Sequence, residues 1–422
     1  MHLLKHLTIA DRESPENGRQ CDLRIEDGII VEIGENLLPG SEEEVIDLSD
    51  TFVSPGFIDI GPYLGDPGHE EREDITSLIA AGLRGGYVAL APLPNSEPTR
   101  HDKSGIRYLI ESSKHFPLDL LPLGAISLNT EGKDITEMID MHQTGAIAFT
   151  DGLHPVTSAG MMSRALHYVK SFSGTIINQP FDPALAPGGQ MHEGIISTQL
   201  GMRGIPHLSE TLCLHRDLKL LAYADSRLLV HLISTAESVD MIATAKASGL
   251  AVFASVAPLN LQYTDAALAG FDSQFKVSPP LREEADRQAL LQGIRSGTID
   301  CVVSNHIAHQ EDNKKLEFPY AAFGSLGLES CLAQVNTVLG DSIATDALAA
   351  LFSHGPRKAL QLPPLSIAVG LPASLSFFRR DLEWTFTTDQ LAGKGINSPL
   401  IGQTLRGRAL GIYHRGQFYS TK

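Results

Sequence analysis

Residues able to do chemistry are sparse in this 422-residue chain and lie far apart. His231 lies in the middle of an apolar stretch, Leu229-Val230-His231-Leu232-Ile233, and Asp151 ends another, Ala146-Ile147-Ala148-Phe149-Thr150-Asp151. One imidazole and one carboxylate make two donors, whereas catalytic zinc usually takes three protein ligands. Each also has a plain structural use, His231 as a buried imidazole bonded to a neighbour and Asp151 as a helix cap. His306 and His309 share the segment Ser304-Asn305-His306-Ile307-Ala308-His309. The charged run behind them, Gln310 to Lys315, reads as a solvated, mobile loop. His154 and the pair His192-Glu193, the latter in a glycine-rich tract, match no known ligand spacing. Cys21, Cys213, Cys301 and Cys331 are too dispersed for a disulfide framework or a cysteine zinc site.

These residues must be held by regular elements, and the pattern of such elements is clear. The stretch Thr51 to Gly68, TFVSPGFIDIGPYLGDPG, is apolar up to Asp59-Ile60 and then opens into a Gly/Pro-rich loop. A buried parallel strand reaching the functional rim of a barrel looks like this. Further strand-like runs follow at Tyr87 to Ala91, Leu120 to Ile126, Ala146 to Phe149, Thr175 to Asn178, Arg227 to Leu232, Ala251 to Ser255 and Ile299 to Val303. Each precedes a segment that can be helical. Eight strands alternating with helices predict an α/β fold, a TIM-type (β/α)8 barrel, over residues 51–365. Before it, residues 1–50 alternate as short strands separated by turns such as Asp27-Gly28. Residues 366–422 hold similar segments.

Composition narrows the function classes. Hydrophobic residues make up 42% and charged residues 20%, ordinary for a globular protein. A formal charge of −17 disfavours nonspecific binding to nucleic acid or to an anionic membrane. The N-terminus lacks a secretory apolar region, so a cytoplasmic location is expected.

Several segments, in order, resemble the dihydroorotase branch of the amidohydrolases. They include Pro94-Asn95-Ser96-Glu97-Pro98, Gly145 to Gly152, Val230 to Val239, Lys276-Val277-Ser278-Pro279-Pro280-Leu281-Arg282 and Gly324 to Glu329. The resemblance implies an amidohydrolase barrel with a small β-sandwich built from both chain ends. It also implies a zinc site whose residues can be checked one by one. Two histidines expected on the first strand are replaced by Gly61 and Tyr63, and a substrate-binding arginine by Gly65. Gln179 stands for a further ligand histidine, and Asn305 for the aspartate that handles the proton. Asp151 and His231 match remnant ligand positions, too few for zinc, so the pattern of lost positions implies no metal and no other cofactor, while Asn95 and His309 match substrate-positioning ones. Ser278 stands where an asparagine is expected.

This pattern of loss resembles a non-catalytic dihydroorotase-like chain that forms a complex with the aspartate carbamoyltransferase catalytic chain. It therefore implies a structural subunit in pyrimidine biosynthesis and not an enzyme, with self-association left open. The alternative is an active metal-dependent cyclic amidohydrolase, of dihydroorotase or hydantoinase type, with a rebuilt metal site.

Overall fold

The computed structural model describes residues 1–421. Eight short parallel strand positions alternate with helices through its centre. Phe57–Ile60, Tyr87–Ala91 and Asp119–Leu120 form one hydrogen-bonded arc. Leu123–Gly124, which continues the third position, joins Ala148–Phe149, Ile176–Asn178, Leu228–Val230, Val252–Val256 and Cys301–Val302 in the other. All four residues of Phe57–Ile60 and all five of Tyr87–Ala91 are buried. Burial on both faces explains why these strands read as continuous apolar runs and not as alternation.

The arcs meet at two seams. At one, Leu121 N–H donates to the Leu90 carbonyl (2.8 Å) and the Pro122 carbonyl accepts from Ile147 N–H (2.9 Å). Proline has no N–H, so a regular ladder cannot run through this point. At the other, the Asp59 side chain replaces ladder bonds. Its carboxylate accepts from Ser304 N–H (2.7 Å) and Ser304 Oγ–H (2.5 Å). Burial pushes the Asp59 carboxyl up to about 6, against the pull of those two bonds.

The helix Ile75–Arg84 shows how the outer layer is specified. Asp74 caps it by accepting from Ser77 N–H (2.8 Å), and Ile75, Leu78, Ile79 and Gly82 form its buried face. A Cβ on Gly82 would fall 2.9 Å from Leu90 and 3.1 Å from Leu118, so glycine permits the close helix–strand approach. Burying Leu78 and Ile79 contributes about 1.5–3 kcal/mol each.

Both chain ends build one seven-stranded sheet beside the barrel. Its order is Gln417–Ser420, Thr404–His414, Leu375–Thr385, Glu44–Pro55, His2–Ile9, Gln20–Glu26 and Ile29–Gly34. Leu4, Leu23, Val53, Leu375 and Phe377 share its core. Ser376 Oγ links this unit to the barrel by accepting from Phe57 N–H (2.8 Å) and donating to the Gly86 carbonyl (2.6 Å).

One local expectation is corrected. The charged run after His309 contains a short helix, Glu311–Lys314, and Lys314 is only 2% exposed. Its Nζ is tied to the carbonyls of Ala322 (2.9 Å) and Gly324 (3.0 Å), so the run is folded into the structure. Among the described residues, no helix is long and apolar enough to cross a membrane.

Candidate functional site

At the C-terminal ends of the strands lies a cavity of about 430 Å³. Gly61, Gln179, His231, Ser278, Asn305 and His309 all line it. Gly61, Gln179 and His231 directly follow the strands Phe57–Ile60, Ile176–Asn178 and Leu228–Val230, and this rim is where a parallel barrel presents side chains for chemistry. Backbone at this rim departs from regular strand geometry: φ is +89° at Gly61, +59° at Leu232 and +49° at Asn305.

His231 is 5% exposed, and burial pushes its imidazole down to about 4. Its Nδ1 lies 3.1 Å from Ser255 Oγ, which accepts from Leu232 N–H (3.0 Å). The Ser255 hydroxyl hydrogen has no other acceptor among the described residues and is therefore assigned to Nδ1, which places the proton of the neutral ring on Nε2. That Nε2–H faces Gly61, where a Cβ would stand only 2.7 Å away.

Gln179 and Asn305 converge on Ser278. Gln179 Nε2 donates to Ser278 Oγ (3.3 Å), and Asn305 Nδ2 donates to the Ser278 carbonyl (3.0 Å). His309 donates from Nε2 to the Phe323 carbonyl (2.9 Å), so its Nδ1 is a bare lone pair. That Nδ1 is buried without a partner among the described residues. Burial, helped by Arg72 and Lys314, pushes this imidazole down to about 4, against the bond to Phe323.

Arg72 also lines the cavity, and sequence reasoning missed it. Its guanidinium lies 4.1 Å over the Tyr63 ring, and Nε donates to the Ala308 carbonyl (3.2 Å). The two Nη groups have no protein partner among the described residues. Its only sequence signal was a charged cluster, Glu70 to Asp74, next to the rim loop.

Other candidates lie outside the cavity lining. Asp151 is 1% exposed and its carboxylate is fully used: Oδ1 accepts from Ile126 N–H and Ser127 N–H (both 2.9 Å), and Oδ2 from Ser127 Oγ–H (2.5 Å). Burial raises its pKa, opposed by those bonds. Asn95 donates to the Asp151 carbonyl (3.1 Å) and accepts from Leu153 N–H (3.0 Å), which braces the same loop. Tyr63, 2% exposed, lies behind Arg72. Gly65 has room for no side chain, since a Cβ would meet the His69 carbonyl oxygen at 2.1 Å. His306 is fully buried against Glu73 (3.2 Å); burial opposes its protonation, but that carboxylate raises its pKa overall.

Neither available donor set fits zinc. Around His231 stand a glycine, two neutral amides and a serine, with the imidazole proton on the side a metal would need. Elsewhere His192, Asp265 and Glu283 bring ligand-type atoms within 4.8 Å of one another. His192 Nδ1 is 3.1 Å from Arg282 Nη1, which can only donate, so the ring proton again sits on Nε2. That Nε2–H is a hydrogen-bond donor facing Glu283 Oε1 at 3.6 Å, not a lone pair for a cation.

Among solved structures, L-hydantoinase (dihydropyrimidinase) from Arthrobacter aurescens has a TM-score of 0.86 at 21% identity, covering 99% of this chain and 96% of its own. D-Hydantoinase (dihydropyrimidinase) from Thermus sp. has 0.81 at 19% identity, covering 100% and 96%. The fold is thus the α/β TIM-type barrel of the amidohydrolases. Residues 51–238 match the dihydro-orotase-like family. The dihydroorotase of Carboxydothermus hydrogenoformans is 37% identical over 401 residues, 94% of this chain and 93% of its own length. That of Syntrophus aciditrophicus is 36% identical over 411 residues, 97% and 96%. The chain belongs to the dihydroorotase-like family.

These relatives overturn the expectation of a non-catalytic assembly subunit. Proteins matching nearly the full length of this chain bear the name of an enzyme. Loss of ligand types at Gly61, Tyr63, Gln179 and Asn305 is not in itself loss of activity, since other polar residues, among them Arg72, Ser278 and His309, line the same cavity.

Proposed function

We propose that this chain is a cyclic amidohydrolase of the dihydroorotase class, interconverting carbamoyl aspartate and dihydroorotate in the barrel-mouth cavity. The full-length similarity to dihydroorotases carries the reading. The cavity supports it, since about 430 Å³ is within the range for a small-molecule site.

The residues supply three functions. His231 Nε2–H is a neutral donor for the oxygen of the ring carbonyl under attack, where negative charge develops. His309 Nδ1 is a lone pair held unprotonated near neutrality; it accepts a proton from the attacking water and returns it to the departing ring nitrogen. Arg72 offers two free Nη groups to a substrate carboxylate. No step is routed through a metal, because the donors present do not suit one.

The test is ring opening of dihydroorotate, followed by loss of its ring absorbance, with and without prior chelator treatment. Turnover should resist the chelator and fall about 100-fold or more in His231→Gln and His309→Gln. Absence of turnover in either direction would refute the reaction. A rate removed by chelator and restored by zinc would refute the metal-free assignment.

A further inference from the structure

A second depression, about 960 Å³, lies at the opposite end of the barrel. It is lined by Ser296, Gly297, Ile299 and Asp300, just before the last strand Cys301–Val302, and by residues drawn from 342–364, so it opens at the N-terminal ends of the strands. Four cations line it: Arg12, Arg295, Arg357 and Lys358. Among the described residues none of the four is in an ion pair.

Their hydrogen bonding is equally thin. Arg12 and Lys358 side chains bond nothing, and Arg295 reaches only Ser342 Oγ at 3.4 Å. Arg357 gives Nη1 to the Pro363 carbonyl (3.0 Å), while its Nε is buried without a partner. The two acids in the cleft are already engaged. Asp300 holds Lys246 at 2.7 and 2.8 Å, and Glu13 lies 3.7 Å from His354 Nδ1.

A chain of net charge −17 has ample carboxylate to pair its cations, yet none of these four is in an ion pair, and Asp300, which acts on Lys358, is already held by Lys246. Like charges in one concavity repel, and an incoming anion removes that cost while gaining charge-assisted hydrogen bonds. Arginine forks suit phosphate oxygens in particular. The rest of the surface repels polyanions, and the size is that of a small-molecule site, which favours a compact ligand over a nucleic acid. Ile343, Leu362 and Pro364 add a partly exposed apolar wall that a ring can cover.

We infer that this cleft binds a phosphorylated small molecule carrying an apolar or aromatic ring, of the nucleotide class, with its phosphates among Arg12, Arg295, Arg357 and Lys358. The site is separate from the barrel-mouth cavity and independent of the reaction proposed there.

The experiment is calorimetric titration of the full chain with ATP, UTP, uridine and inorganic pyrophosphate at fixed ionic strength. One nucleotide per chain should bind saturably. Affinity should fall tenfold or more in the double variant Arg12→Gln, Lys358→Gln, whose parent side chains are exposed and unpartnered and so leave the fold intact. Uridine should not bind. Lack of saturable binding by either nucleotide up to millimolar concentration, or affinity unchanged in the double variant, would overturn the site. Pyrophosphate binding as tightly as the nucleotides would overturn the ring half of the assignment.

Discussion

Replacing Gly61 with alanine tests the geometry around His231 directly. Two costs add. At φ +89° the backbone lies beyond the left-handed well that L residues occupy, which costs about 1–2 kcal/mol. The new Cβ would stand 2.7 Å from His231 Nε2 and 2.9 Å from Cε1. That ring is buried and tethered through Nδ1 to Ser255, so it cannot swing aside freely, and overpacking adds about 1–3 kcal/mol. The total is about 3 kcal/mol, or about 3 °C in a chain this long, where each kcal/mol shifts the midpoint by about 1 °C. Gly201→Ala is the control: its φ is +66° with nothing within 4 Å, so it carries strain alone. Thermal and urea melts give the difference, and the His231 ring signals in NMR report the contact. If Gly61→Ala costs no more than Gly201→Ala and the His231 signals stay in place, the imidazole does not face Gly61.

Two further outcomes follow from buried groups. His231 has a folded pKa of about 4 against an ordinary value of 6.5. Between these values the unfolded chain binds a proton that the folded chain refuses, so this residue's share of stability is lost as pH falls below 6.5. Its contribution to the slope is about 1.4 kcal/mol per pH unit, and urea titrations from pH 7 to 4 should show His231→Gln with a shallower acid limb by that amount. Equal slopes would mean the ring is not held neutral. Asp151→Ala strands Ile126 N–H, Ser127 N–H and Ser127 Oγ–H in the interior, at about 3 kcal/mol or more in denaturant melts. A variant of unchanged stability would show that the carboxylate is not a structural acceptor.

Much of the barrel was legible because its strands are buried on both faces, so runs such as Tyr87–Ala91 stand out as continuous apolar stretches. The residue types at the rim were legible too: Gly61, Gln179 and Asn305 are visible as non-ligands at any resolution. What spacing could not reveal is which side chains turn into the cavity. Asp151 is consumed by Ser127, Asn95 by its bonds to Asp151 and Leu153, and these partners are chosen by the fold and not by local pattern. Arg72 was hidden for the converse reason. It reads as one more charge in a solvated cluster until stacking on Tyr63 and the bond to Ala308 bring it to the cavity. The tautomers of His231 and His309, on which the chemistry rests, depend on Ser255 and Phe323, neither of them a sequence neighbour.

The seven-stranded sheet made from both chain ends sets a timetable for synthesis. The strand Glu44–Pro55 pairs on one side with His2–Ile9, which is already present when it emerges, and on the other with Leu375–Thr385. About 320 residues separate the two partners across that second edge. At ordinary translation speeds they take roughly 16 to 64 s to appear. Throughout that interval the ribosome-bound chain displays an unpaired strand edge at Phe52 and Val53, the kind of surface to which other strands add. The residues from Leu375 onward act as a clasp that removes the exposed edge once they emerge, after every barrel strand has been made.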